Sequence, residues 1–327
     1  MRRIALLVSL LGSAALVHAD QHAAIPPAAT PVVLDAPAAP VLPDKPVVQA
    51  PPVCNARSLF ESDRMFPNFI GPISNPVLTK DPRSLTEARL VFIQNWFPNA
   101  HPLMQGGDMQ VYAAPQVRIA LTDRLTIMAD KAGIAAINAN GIPHRSGMLN
   151  IAAGAKYAFI RDVENQFLVT GGFLFEPPTG EAKVFQNHGS GVATVFGTVG
   201  KEFAECYHVL LNGGYQFGLN SRDNSSFLYA QLHLDRQLFG WLYPLVEVNW
   251  FGYTAGGDRG LPAIGEGDGL INLGAPDMAG NHLVTIAAGL KAQFGKHLNV
   301  GVVYETPMSS RRDLIDSRIL AEVIFRY

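Results

Sequence analysis

The chain is poor in cysteine, in charge and in long apolar runs. Two cysteines, Cys54 and Cys206, stand in 327 residues. That is too few ligands for a metal or redox cluster, and nothing in the sequence calls for a cofactor. Asp, Glu, Lys and Arg make up 16 % of the chain with a formal net charge of −2, so there is no basic excess for nucleic acid. Beyond the first twenty positions no apolar stretch approaches the roughly 20 residues that a spanning helix requires. A membrane location is then open only to a closed barrel, the other structure that satisfies its backbone polar groups in lipid.

What is present begins with a leader. Arg2 and Arg3, the apolar run Ile4 to Val17 and the string Val17-His18-Ala19 read as a secretory signal peptide over 1–19. Residues 20–57 form a Pro/Ala-rich periplasmic linker with nine prolines. Each proline fixes φ and removes a donor, so the segment is an extended tether. It is either a spacer that contacts the cell wall or a leader without a partner. Residues 58–85, which include Phe60, Met65, Phe66 and Phe69, either fold into the periplasmic mouth as a partial plug or serve as a linker.

From 86 to 327 the chain reads as an outer-membrane β-barrel. In the last twelve residues Ile319, Ala321, Val323, Phe325 and Tyr327 share one face, and Arg318, Glu322 and Arg326 share the other with Leu320 and Ile324. Side chains alternate along a strand, so one face suits hydrocarbon and the other a wet lumen. A soluble sheet would also alternate, but the pattern repeats. Strands are expected near 86–98, 108–121, 125–131, 147–159, 164–176, 192–203, 207–219, 226–235, 241–252, 282–294, 298–307 and 316–327, about twelve in all. Short connections at 122–124, 160–163, 204–206, 236–240 and 295–297 interleave with longer ones at 99–107, 132–146, 177–191, 253–281 and 308–315, with 220–225 the shortest of the longer set. This is an all-β, transmembrane, antiparallel up-and-down barrel of the bacterial outer membrane. Trp96, Tyr157, Phe159, Phe217 and Trp250 fall near strand ends, where aromatic girdles belong.

Four stretches carry a resemblance: SNPVLTKDPRSLTEARLVFI (Ser74 to Ile93), LTDRLTIMADKAG (Leu121 to Gly133), LVEVNWFGY (Leu245 to Tyr253) and RRDLIDSRILAEVIFRY (Arg311 to Tyr327). From about Phe60 onward the chain resembles planctomycete-type outer-membrane barrels described as transporters, which are similar to the "MetA-pathway of phenol degradation" barrels. The resemblance implies fold and location, supplies no catalytic motif, and through the phenol link implies an aromatic or small apolar solute.

Period-two patterning projects Glu87, Arg89, Arg118, Lys156, Glu176, His233, Asp235, Glu247, Lys291, Glu305, Arg318, Glu322 and Arg326 inward. Charges of both signs either line a conducting pore or pair into a network that fills it. Twelve strands lie between filled small barrels and open porins, so the lumen is expected to be narrow. Val323, Phe325 and Tyr327 form the expected signal to the barrel-assembly machinery. Cys54 and Cys206 both fall on the periplasmic side and are expected to form a disulfide. The glycine-rich loop 254–281, with Asp258, Glu266, Asp268 and Asp277, lacks an EF-hand register and reads as a solvated, constriction-forming or receptor-type loop.

His144-Arg145-Ser146-Gly147 and His188-Gly189-Ser190-Gly191 offer an i, i+2 His and Ser pair for acyl chemistry, but no residue to orient either histidine can be named. His101, His144, His188 and His282 fall near long loops and would ring one opening. The functional expectation is a non-enzymatic, passive channel for small solutes. The rival from another class is a structural or surface-interaction barrel.

Overall fold

The computed structural model describes residues 58–261 and 265–327. The signal-peptide, linker and Cys54 expectations therefore lie outside the described residues. Among these residues there is no α-helix, only a 3-10 turn at Ala182–Val184. The strands are β1 (Glu87–Trp96), β2 (Gly107–Ala120), β3 (Leu125–Lys131), β4 (Ile134–Ala139), β5 (Arg145–Met148), β6 (Ala152–Asp162), β7 (Phe167–Glu176), β8 (Val192–Phe203), β9 (Tyr207–Gly218), β10 (Ser226–Arg236), β11 (Leu242–Ala255), β12 (His282–Phe294), β13 (Leu298–Pro307) and β14 (Ser317–Arg326).

β3 and β4 lie end to end beside β2, and β5 and β6 pair with them in turn, so each couple is one long strand with an interruption. The result is a closed antiparallel barrel of twelve strands. Its seam is β1 against β14, from Glu87 opposite Arg326 to Trp96 opposite Ser317.

Alternation decides which face each side chain takes. On β10 the outward set is Leu228, Ala230, Leu232 and Leu234, and the inward set is Phe227, Tyr229, Gln231, His233 and Asp235. On β1 the exposed Leu90 and Phe92 alternate with buried Glu87, Arg89, Val91 and Ile93. Outward apolar surface has no core of this chain to cover it, so the belt faces lipid. Exposed aromatics frame the belt at both ends, with Phe203, Tyr207, Trp241 and Phe294 near the short turns and Trp96, Tyr112 and Tyr304 toward the long loops. The tight turn at 204–206 works because Ala204 and Glu205 both take left-handed φ, 48° and 59°, which matches the twist of the flanking strands.

The expected loop 132–146 is instead a hairpin of β4 and β5. Ala135 and Ile137 point inward while Ile134 and Ala136 point outward. Both faces are apolar, so the segment has no polar alternation to announce a strand. Gly133 makes the kink before it, with φ 120° and so little room that a Cβ would lie 2.8 Å from Ala114.

The barrel is not hollow. Residues 66–85 climb from the β14 end of the seam to an apex near Leu78 and descend again into β1, with Phe66, Phe69, Ile70, Ile73, Lys80 and Arg83 fully buried. The backbone N–H of Asp63 donates to Ser84 O at 2.8 Å, which ties the two ends of this inner segment at the same mouth. From the opposite end the loop between β11 and β12 turns inward, burying Glu266, Asp268, Leu270, Ile271 and Leu273. The two meet where Gly269 packs on Leu78, so closely that a Cβ at 269 would stand 2.9 Å from a Leu78 methyl.

Candidate functional site

The barrel interior is the candidate site, and charges of both signs are spread unevenly over its wall. The inner faces of β9 to β11 carry His208, His233, Asp235 and Glu247, whereas those of β1, β2 and β6 carry Arg89, Arg118 and Lys156 among their buried groups. Each wall grips the inner segment's backbone by the partner its charge selects. On the acidic side Glu247 accepts the N–H groups of Ile73 and Ser74, at 2.9 and 2.7 Å, and the Asn212 carbonyl accepts Lys80 N–H at 2.8 Å. On the cationic side Arg89 donates to Pro72 O, Lys291 to Gly71 O, and Lys156 to the carbonyls of Asp81 and Arg83. Backbone groups taken out of water need such partners, so the wall satisfies a segment that has no sheet of its own.

A row of four side chains lines the acidic wall. His233 Nδ1 is 2.7 Å from Glu247, its Nε2 is 2.9 Å from Asp235, and Asp235 in turn meets His208 Nδ1 at 2.7 Å. Ionised carboxylates only accept, so with Glu247 and Asp235 both ionised the two contacts call for a donor at each His233 ring nitrogen. The inner segment touches this row at both ends, with Phe69 against the His208 ring and Ile73 and Ser74 on Glu247.

Elsewhere the inward charges pair with one another. Glu87 is shared by Arg118 at 2.8 Å and Arg326 at 2.9 Å, and Glu322 by Arg89 and Lys291. Asp130 is shared by Arg118 at 3.1 Å and Lys80 at 3.0 Å. Toward the loop end Lys131 meets Glu176 at 2.6 Å, and Arg318 lies between Asp268 and Glu305, at 2.5 and 3.7 Å. Glu305 also accepts from Thr285 and Asn249. Of the thirteen side chains projected inward from the sequence, twelve are buried and Arg326 is half-buried at the mouth. Val323, Phe325 and Tyr327 lie on the outward face, with Phe325 and Tyr327 exposed.

Sequence reading missed Lys80, Asp81, Arg83, Asp130, Lys131, Glu266 and Asp268 as interior groups. Asp130 was within reach of the alternation, since it follows Thr126 and Met128 on the buried face of β3. Of the solvated, constriction-forming and receptor-type readings of 254–281, the solvated one is corrected, since Glu266 and Asp268 are nearly sealed from solvent at 2 % and 3 % exposure. Glu266 folds its own loop inward by accepting the N–H groups of Leu273 and Ala275 and the Ser225 hydroxyl, at 2.6, 2.8 and 2.5 Å.

Toward the long loops Ile93, Phe97, Met104, Met109, Ile137, Leu270 and Ile315 belong to one apolar cluster, which continues down to Ile70 and Ile73 of the inner segment. Among the described residues no hydrogen bond joins His144 to Ser146 or His188 to Ser190. Nor do the four histidines near the long loops form a ring, because His101 is buried with its Nδ1 capping the N–H groups of Leu103 and Met104. Cys206 sits half-buried in the β8–β9 turn.

No protein-family model matches the chain, and no curated protein matches it. Among solved structures it is similar to an outer membrane channel from Pseudomonas putida F1, with 12 % identity, a TM-score of 0.56, and coverage of 79 % of this chain and 100 % of that one. The NanC porin, at 7 % identity and TM-score 0.45, covers 73 % of this chain and 98 % of its own. The beta domain of the Bordetella autotransporter BrkA, at 12 % identity and TM-score 0.46, covers 75 % of this chain and 100 % of its own. The first likeness supports the fold. A closed barrel with an even strand number, an outward apolar belt and aromatic frames places the chain in the bacterial outer membrane.

Proposed function

We propose that the protein is a passive outer-membrane channel for small solutes, held shut by its own inner segment and inward loop. It would stand among the planctomycete-type barrels that it resembles in sequence. The observation that carries this reading is the inner wall, which is polar and charged and, among the described residues, is filled by residues 66–85 and 265–275 of the same chain. Both occupants enter through open ends of the barrel, so either is displaced without breaking a strand ladder. The apolar cluster toward the long loops favours an aromatic or apolar solute, which would cross it to the charged lower bore once the inward loop is displaced. Selectivity would then rest on the wall charges and on the β11–β12 loop.

Conductance in planar bilayers tests the reading. The full chain should conduct weakly, and a chain in which Glu247→Gln and Asp63→Ala loosen the inner segment should conduct several-fold more. A second reading, a structural or surface-interaction barrel, is favoured by the density of ion pairs across the interior. Absence of conductance from both proteins, once heat-modifiable migration has verified folding, would select it.

A further inference from the structure

Near the mouth that the inner segment enters, a cavity of about 10 Å³ lies between that segment and the wall. Its polar lining is Asp81, Glu87, Arg89, Arg118, Lys291 and Arg326, so two carboxylates face it beside four cations. Two buried donors on its lining, Arg89 Nε and Arg118 Nη2, have no hydrogen-bond partner among the described residues. Both side chains are 97 % removed from solvent, with relative exposures of 3 %.

The charges around it do not cancel. Arg118, Arg326, Lys80, Arg89 and Lys291 share only three carboxylates, those of Glu87, Asp130 and Glu322. Lys156 is held by the carbonyls of Asp81 and Arg83, while Asp81 and Arg83 neutralise each other. Uncompensated positive charge in a poorly hydrated interior is costly, and orphaned guanidinium N–H groups add to the cost.

We infer that this cavity binds one small monatomic anion, chloride in charge and size, which accepts from Arg89 and Arg118. Water fits the volume but leaves the positive excess standing. The small space favours a monatomic anion over sulfate, phosphate or an organic carboxylate. The anion completes the cationic wall that holds the carbonyls of Gly71, Pro72, Asp81 and Arg83, and so helps to fix the inner segment.

The test uses the full chain. Crystals grown from bromide in place of chloride should give an anomalous peak between Arg89 and Arg118. At equal ionic strength the unfolding temperature should be about 2–4 °C higher in chloride than in gluconate. The difference should vanish in Arg89→Gln. Density without anomalous signal at the cavity would mean water only and would overturn the inference, whatever the thermal data show. Equal unfolding temperatures in the two salts would do the same. The bromide crystals decide the matter even where Arg89→Gln fails to insert, and neither readout depends on conductance.

Discussion

Arg161 holds Asp63 through two N–H···O bonds of 2.8 Å each, near the lower end of β6 where the inner segment enters the barrel. Paired, charge-assisted bonds of this kind are stronger than neutral ones and fix orientation. Arg161→Ala should loosen the entry by about 1–2 kcal/mol, which corresponds to roughly tenfold faster trypsin cleavage after the exposed Arg64. Heat-modifiable migration should stay normal, since no ladder bond is lost. Unchanged cleavage would show that the segment is held only from above.

Arg318 lies between Asp268 on the inward loop and Glu305 on β13, with its Nε donating to Asn95. Arg318→Glu would put three carboxylates together in a buried space. The expected cost is about 3–5 kcal/mol, seen as a lower unfolding temperature, together with release of the loop. Reversal potentials under a salt gradient should move toward cation preference as that loop opens. A variant as stable as the parent would contradict the paired arrangement.

Glu266 gives the inward loop a pH dependence. Burial pushes its carboxyl up to about 7, against the Ser225 hydroxyl and the backbone N–H groups of Ala275 and Leu273. The packed loop thus holds a proton that an opened loop, titrating near 4.5, has released. Its stabilisation is complete below about pH 4.5 and fades as pH rises through about 7. Hydrogen exchange at Leu273 and Ala275, corrected for intrinsic rate, should be faster at pH 8 than at pH 5. Glu266→Gln should flatten the profile, and a flat profile in the parent would refute the mechanism.

At the seam, Tyr327 N–H donates to Thr86 O at 2.9 Å and Arg326 reaches Glu87. Removing Phe325 to Tyr327 deletes these closing contacts along with the outward aromatic end of β14. Insertion should fail, giving a protein that migrates identically with and without heating. Normal recovery of the truncated chain in outer membranes would argue against a terminal assembly signal.

The cysteine proposal stands on topology. Cys206 lies in a turn at the same end as residue 58, only four residues after Cys54, and that compartment permits disulfides. Mass spectrometry of the unreduced protein should find the Cys54 and Cys206 peptides linked. Alkylation of both thiols without reductant would exclude the bond.

The barrel was legible because lipid outside and polar groups inside impose a period of two that survives in strands such as β14 and β10. Loop sorting was legible because turns such as 204–206 and 295–297 are short. The β4–β5 hairpin was hidden, since from Ile134 to Ala139 only Asn138 breaks an apolar run on both faces. Residues 66–85 have no periodicity because the wall, not a neighbouring strand, satisfies their backbone. The inward loop looked solvated because glycines and acids are common in water-facing loops. Nothing local says that Glu266 will accept N–H groups from its own chain nine residues on.

The inner segment rises and returns through the same opening, tied at its base by Asp63 and Ser84. Topologically it is a bight and not a threaded rope. It can be drawn out from below without unfastening the seam or passing a free end through the wall. A pull on residue 58 away from that mouth would therefore act along the withdrawal path, so the barrel carries the geometry of a ripcord.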